Sequence, residues 1–107
     1  MATTPEAKVK AKIKAILKAH NIYYAMPIGT GLGNSGVPDF LVCYGGHFLG
    51  IEAKAGKGKT TALQDMHLSK IAIAGGIAEV VNEENMHDIV NILNGAASDP
   101  RQLVLDL

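Results

Sequence analysis

The chain is short of most features that declare a function at sight. It has one cysteine, no tryptophan and only five aromatic residues among 107. A single cysteine excludes an internal disulfide and fits a reducing compartment. Cys43, between Val42 and Tyr44 of an apparent strand, is expected to be inert core. With so few aromatics, the 48% of hydrophobic residues must build an aliphatic core. The four histidines show no H-x₃-H or H-E-x-x-H spacing, and there is no C-x-x-C pair, so a zinc centre is not expected. His67 could lie near a site, but a polar helix face is the better reading. No apolar run reaches the roughly 18 residues that cross a bilayer, and the first residues carry no signal-peptide core. A cytoplasmic protein is expected. Repeats, low-complexity tracts and linkers are lacking too. The length suits one domain spanning 1–107, with a core at about 5–93 and a tail at 94–107.

Net charge is also lacking, but the zero hides an asymmetry. Residues 1–60 hold eight lysines and three acids, a net +5, and residues 61–107 carry the compensating −5. A basic half suits a polyanion such as a nucleic-acid backbone, although a solvated helix face would also explain any one lysine.

What is present begins with a hairpin. Residues 37–44 and 47–54 read as strands joined by Gly45-Gly46, a two-residue turn whose positions both need positive φ. Tyr44 then faces His47, so facing residue numbers sum to 91, and Asp39 faces Glu52. Two carboxylates directly across a ladder lie roughly 5 Å apart at Cβ and repel; a cation between them relieves this. Lys54 falls on the same strand face as Glu52. Two acids and a lysine converging on one point form a site for a hydrated divalent metal and a phosphate.

Around this hairpin, residues 5–20 read as a helix with Thr3 or Thr4 as cap, Pro5 in its first turn and Thr3-x-x-Glu6 as a capping box. Val9, Ile13, Ile16 and Leu17 form its apolar stripe, and Glu6 lies on the same stripe, either as a cap or as a site residue. Lys8, Lys12, Lys14 and Lys18 lie off it. A strand is expected at 22–26, a glycine-rich loop at 27–36, a basic loop at 55–59, a helix at 61–74, a strand at 77–81 and a helix at 83–93. The order α-β-β-β-α-β-α predicts one mixed sheet with helices on both faces, an α/β fold.

Two motifs mislead. Gly31-Leu32-Gly33-Asn34-Ser35-Gly36 has the dinucleotide spacing but opens a strand instead of a helix; Asn34 and Ser35 are candidate phosphate contacts. Gly58-Lys59-Thr60 sits where a phosphate-binding loop would, but the first glycine of that motif is replaced by Ala53. No nucleotide cofactor is expected. Lys57 and Lys59 are candidate contacts to a nucleic-acid backbone.

Gly36-Val37-Pro38-Asp39, Glu52-Ala53-Lys54 thirteen residues later, and the following Gln64 resemble the VRR-NUC domain (virus-type replication-repair nuclease) of the PD-(D/E)xK nuclease superfamily. The likeness extends from residue 5 to about 93. It implies a restriction-endonuclease-like core and metal-dependent hydrolysis of DNA phosphodiester bonds. Asp39 and Glu52 would hold Mg²⁺ (Mn²⁺ substituting), with the backbone carbonyl of Ala53 as a third ligand and Glu6 as a further acid contributed by the first helix. Lys54 would stabilise charge on the phosphate, or serve as a structural ion pair with either acid. The resemblance gives Gln64 a place in the site, whereas Thr61-Ala62-Leu63-Gln64 also reads as a capping box. Standalone members resembling this chain are small phage or bacterial homodimers acting on branched DNA such as four-way (Holliday) junctions; if phage-encoded, the chain would work in the host cytoplasm. The alternatives are a restriction- or flap-type nuclease, a non-catalytic nucleic-acid-binding protein, or an ATP-binding protein dependent on Lys59.

Overall fold

The computed structural model describes residues 4–28 and 36–97. Their order is α1 (Pro5–Ala19), β1 (Tyr23–Ala25), β2 (Phe40–Tyr44), β3 (His47–Ala53), α2 (Ala62–Ile73), β4 (Ile77–Val81) and α3 (Asp88–Ala97). This is the expected α-β-β-β-α-β-α order. The strands form one sheet in the order β1-β2-β3-β4. The first three are antiparallel neighbours, and β4 joins β3 in parallel through α2. A parallel neighbour needs such a crossover, because a tight turn can only reverse the chain.

The hairpin register is the one read from the turn. Tyr44 pairs with His47 and Phe40 with Ile51, and Gly45 and Gly46 have φ of 61° and 81°. Both strands are shorter than expected. Paired residues begin at Phe40 and β3 ends at Ala53. Pro38, which has no N–H to give a ladder, is instead buried.

Strand parity sorts the sheet's two faces. Phe40 and Val42 of β2, Leu49, Ile51 and Ala53 of β3, and Val81 of β4 turn to one side. There they meet Val9, Ile13 and Leu17 of α1 and Ile89 and Leu93 of α3 in one aliphatic core. Cys43 has the opposite parity and is exposed, not core. It pairs with Tyr23 on one side and Phe48 on the other. Both of these are exposed as well. The opposite face is served by α2, which contacts β3 and β4.

One helix start is as expected and another is not. Thr4 caps α1, its Oγ1 accepting the Ala7 N–H at 3.1 Å; Thr3 lies outside the described residues. Glu6 is therefore not needed as a cap partner. Helix α3 starts at Asp88, five residues later than its acidic run suggested. Asn82 Oδ1 accepts the N–H groups of Glu84 and Asn85, and Asn85 Nδ2 donates to the Val80 carbonyl. Asparagine side chains thus satisfy backbone groups that a helix would otherwise pair, and the segment stays a turn. The helix then continues through Ala96 and Ala97, past the point where a tail was expected to begin.

Candidate active site

The end of the β2–β3 hairpin lies between the first turns of α1 and α2, and five charged side chains meet there. Asp39, just before β2, accepts the Ala53 N–H on Oδ2 at 2.8 Å. Its Oδ1 lies 3.2 Å from Lys10 Nζ. Lys10 Nζ is 3.9 Å from Glu6 Oε2 one helical turn earlier. Glu6 Oε1 is 3.8 Å from Lys54 Nζ, which is in turn 3.6 Å from Glu52 Oε2. Acids and lysines alternate along this chain of contacts, and its two ends, Asp39 and Glu52, are both acids.

Glu52 carries the strain of that arrangement. It is 2% exposed. Burial pushes its carboxyl up from 4.5 to about 7, with the neighbouring Asp39 carboxylate adding, Lys54 opposing and Glu6 adding. Oε2 accepts from Gln64 Nε2 at 3.2 Å, whereas Oε1 is buried without a hydrogen-bond partner. An unpaired buried carboxylate oxygen beside a second acid is costly unless a proton or a cation relieves it. Two carboxylates fit a hard divalent cation such as Mg²⁺ or Mn²⁺. The Ala53 carbonyl faces the same side: the Lys54 N–H bonds to Val81 of β4, and in a trans peptide the preceding C=O points the other way, towards Asp39.

Gln64 has both roles that the sequence left open. Thr61 Oγ1 accepts the Gln64 N–H at 3.2 Å, and Gln64 Oε1 accepts the Thr61 N–H at 2.9 Å, a complete capping box. The same amide spends its nitrogen on Glu52. The cap therefore fixes the rotamer that reaches the acid. Gly36, at the end of the glycine-rich loop, has φ +91°, and a Cβ there would stand 2.9 Å from the Leu63 backbone. That close approach seats the Gly-Val-Pro-Asp segment on the first turn of α2.

Among the described residues, no group of three or more His, Cys, Asp or Glu is arranged to hold a metal; Glu6 reaches the site through lysines. Lys57 and Lys59 are exposed on the loop after β3. This loop is anchored by the Gly56 N–H, which donates to Glu83 Oε1 at 2.8 Å and lowers that carboxyl's pKa. Glu83 borders a cleft with Lys8 and Lys12 of α1. Asn34 and Ser35 lie outside the described residues. Lys10 escaped the sequence reading, although its i, i+4 spacing from Glu6 is a signal for such a pair.

No protein-family model and no curated protein matches the sequence. The fold is that of a VRR_NUC domain protein of known structure: the two superpose with a TM-score of 0.67 over 87% of this chain and 90% of that one, at 19% identity. None of the helices among the described residues is long and apolar enough to cross a membrane.

Proposed function

We propose that the chain is a metal-dependent endonuclease that hydrolyses DNA phosphodiester bonds. The observation that supports this most is the acid pair: Glu52, buried beside Asp39 with one oxygen unpartnered, is the kind of group that a divalent cation satisfies. The fold shared with a VRR_NUC domain protein supports the same reading.

Asp39, Glu52 and the Ala53 carbonyl would hold Mg²⁺ or Mn²⁺. When bound, the cation supplies Lewis acidity and a hydroxide-like nucleophile at neutral pH. This chain's own groups do the rest. Gln64, set by its cap, keeps Glu52 Oε2 in place. The Ala53 N–H does the same for Asp39 Oδ2. Lys54 stands beside Glu52 with three donors, able to bind a non-bridging phosphate oxygen and to stabilise the negative charge that grows there. Lys57 and Lys59, exposed on the anchored loop after β3, are candidate contacts to the DNA backbone. Asn34 and Ser35 are further candidate contacts.

Branched DNA, such as a four-way junction, is the substrate class that we favour, cut by a homodimer. A domain of 107 residues offers one copy little surface for a branched duplex, and a twofold dimer presents two sites for paired nicks. With no separate DNA-reading element among the described residues, recognition would rest on DNA shape.

The test is cleavage of a labelled four-way junction and of its linear arms, with and without Mg²⁺, by the wild type, Glu52→Gln and Lys54→Ala. Each variant should lose about 10²-fold or more in rate, the scale set by removing one preorganised charge-stabilising group. Nicks confined to the junction support structure selectivity, and equal cutting of linear arms removes it. Binding without cutting in Mg²⁺ and Mn²⁺ alike would contradict the nuclease reading.

A further inference from the structure

Each carboxylate oxygen of Asp39 already has a partner. Its Oδ2 is held by the Ala53 N–H and its Oδ1 by the Lys10 ammonium. The amide is part of the backbone and cannot leave. Lys10 sits on a flexible four-carbon stem, and its side chain is 35% exposed. A second acid, Glu6, lies one turn away on the same helix, with its Oε2 already 3.9 Å from the same Nζ.

We propose that Lys10 is an exchangeable counter-ion of the site: it neutralises Asp39 in the metal-free protein and moves onto Glu6 when a divalent cation takes its place. This rests on the metal-dependent reading above and specifies which residue competes with the metal. Three observations carry it. Lys10 is the contact of Asp39 that can move. Its second partner is in place, at the i, i+4 position where side chains of one helix meet. And the three acids Glu6, Asp39 and Glu52 outnumber the two lysines, so the cluster carries a net negative charge that draws a cation in. Glu6 is then a positioning residue that receives Lys10 and holds Lys54, and it acts on the metal only through them.

The exchange makes metal affinity depend on a charge that touches no metal. Mn²⁺ binding measured by calorimetry at fixed pH and ionic strength tests it with the wild type, Lys10→Met, Glu6→Gln and the double variant. Lys10→Met should bind Mn²⁺ roughly tenfold more tightly, since a like charge has left the site. Glu6→Gln should bind several-fold more weakly, because Lys10 has lost its second partner. In the Lys10→Met background the Glu6→Gln loss should shrink at least threefold, the coupling expected of residues acting as a unit. Unchanged or weaker binding by Lys10→Met overturns the exchange while leaving the nuclease reading intact. A Glu6→Gln loss that persists in full in the double variant also overturns it, because Glu6 would then act by its own charge or as a ligand. A wild type that binds no Mn²⁺ at all overturns the metal-dependent reading and the exchange together.

Discussion

Helices α1 and α2 both begin on a threonine cap and both bring their first turn to the acid pair, yet they are held by different forces. Helix α1 buries Val9, Ile13 and Leu17 against the sheet and α3. Helix α2 buries no residue at all, and Leu63, Met66 and Ile73 stand exposed. It packs on the sheet through half-buried Ile71, which lies against Gly50 of β3, and its first turn is tied to the site by the Gln64–Glu52 bond and the seating of Gly36. One helix is a wall of the core that also carries site residues. The other packs on the sheet through half-buried residues and is tied to the site at its first turn, so disturbance of the site should reach α2 more than α1.

That contrast can be broken from either side. Truncating α1 should cost most. Ile13 is fully buried, so Ile13→Ala should destabilise by about 2–5 kcal/mol, measured by urea unfolding. Thr61→Ala removes the α2 cap and should cost about 1 kcal/mol. It should also slow cleavage, since Gln64 loses the partner that sets its rotamer; comparing the unfolding midpoint with single-turnover rates would show both effects. Met66→Ala, on the open side of α2, should change stability by less than about 0.5 kcal/mol. If Met66→Ala costs as much as Ile13→Ala, α2 is covered in solution and the contrast fails.

Much of this was legible in the sequence because it rests on local rules. The Gly45-Gly46 turn dictates the register, and the register brings Asp39 to Glu52. Thr61 and Gln64 declare their cap by spacing. Other features were set by tertiary context. Cys43 faces solvent because Phe40 and Val42 take the inward parity and, among the described residues, no helix covers that part of the sheet. The start of α3 was displaced by asparagine side chains that capture backbone groups, a competition that an acidic run does not reveal. The Lys10–Asp39 contact joins a helix to the residue before β2, 29 positions away, and no periodicity within α1 or β2 encodes it.

Glu52 is the group on which a cation site depends most. Its carboxyl is raised to about 7, so the folded state holds a proton more tightly than the unfolded chain does. The metal-free protein should therefore be most stable below about pH 4.5, as far as this group is concerned. It should lose on the order of 3 kcal/mol as the pH rises to about 7 and beyond. The most direct measurement is urea unfolding of the wild type and Glu52→Gln from pH 4.5 to 8.5, in chelator and in Mn²⁺. The wild type should fall relative to the variant as pH rises in chelator, and recover at pH 8 in Mn²⁺ while Glu52→Gln does not respond. Parallel pH profiles with no response to Mn²⁺ in either protein would contradict the claim that Asp39 and Glu52 form a cation site.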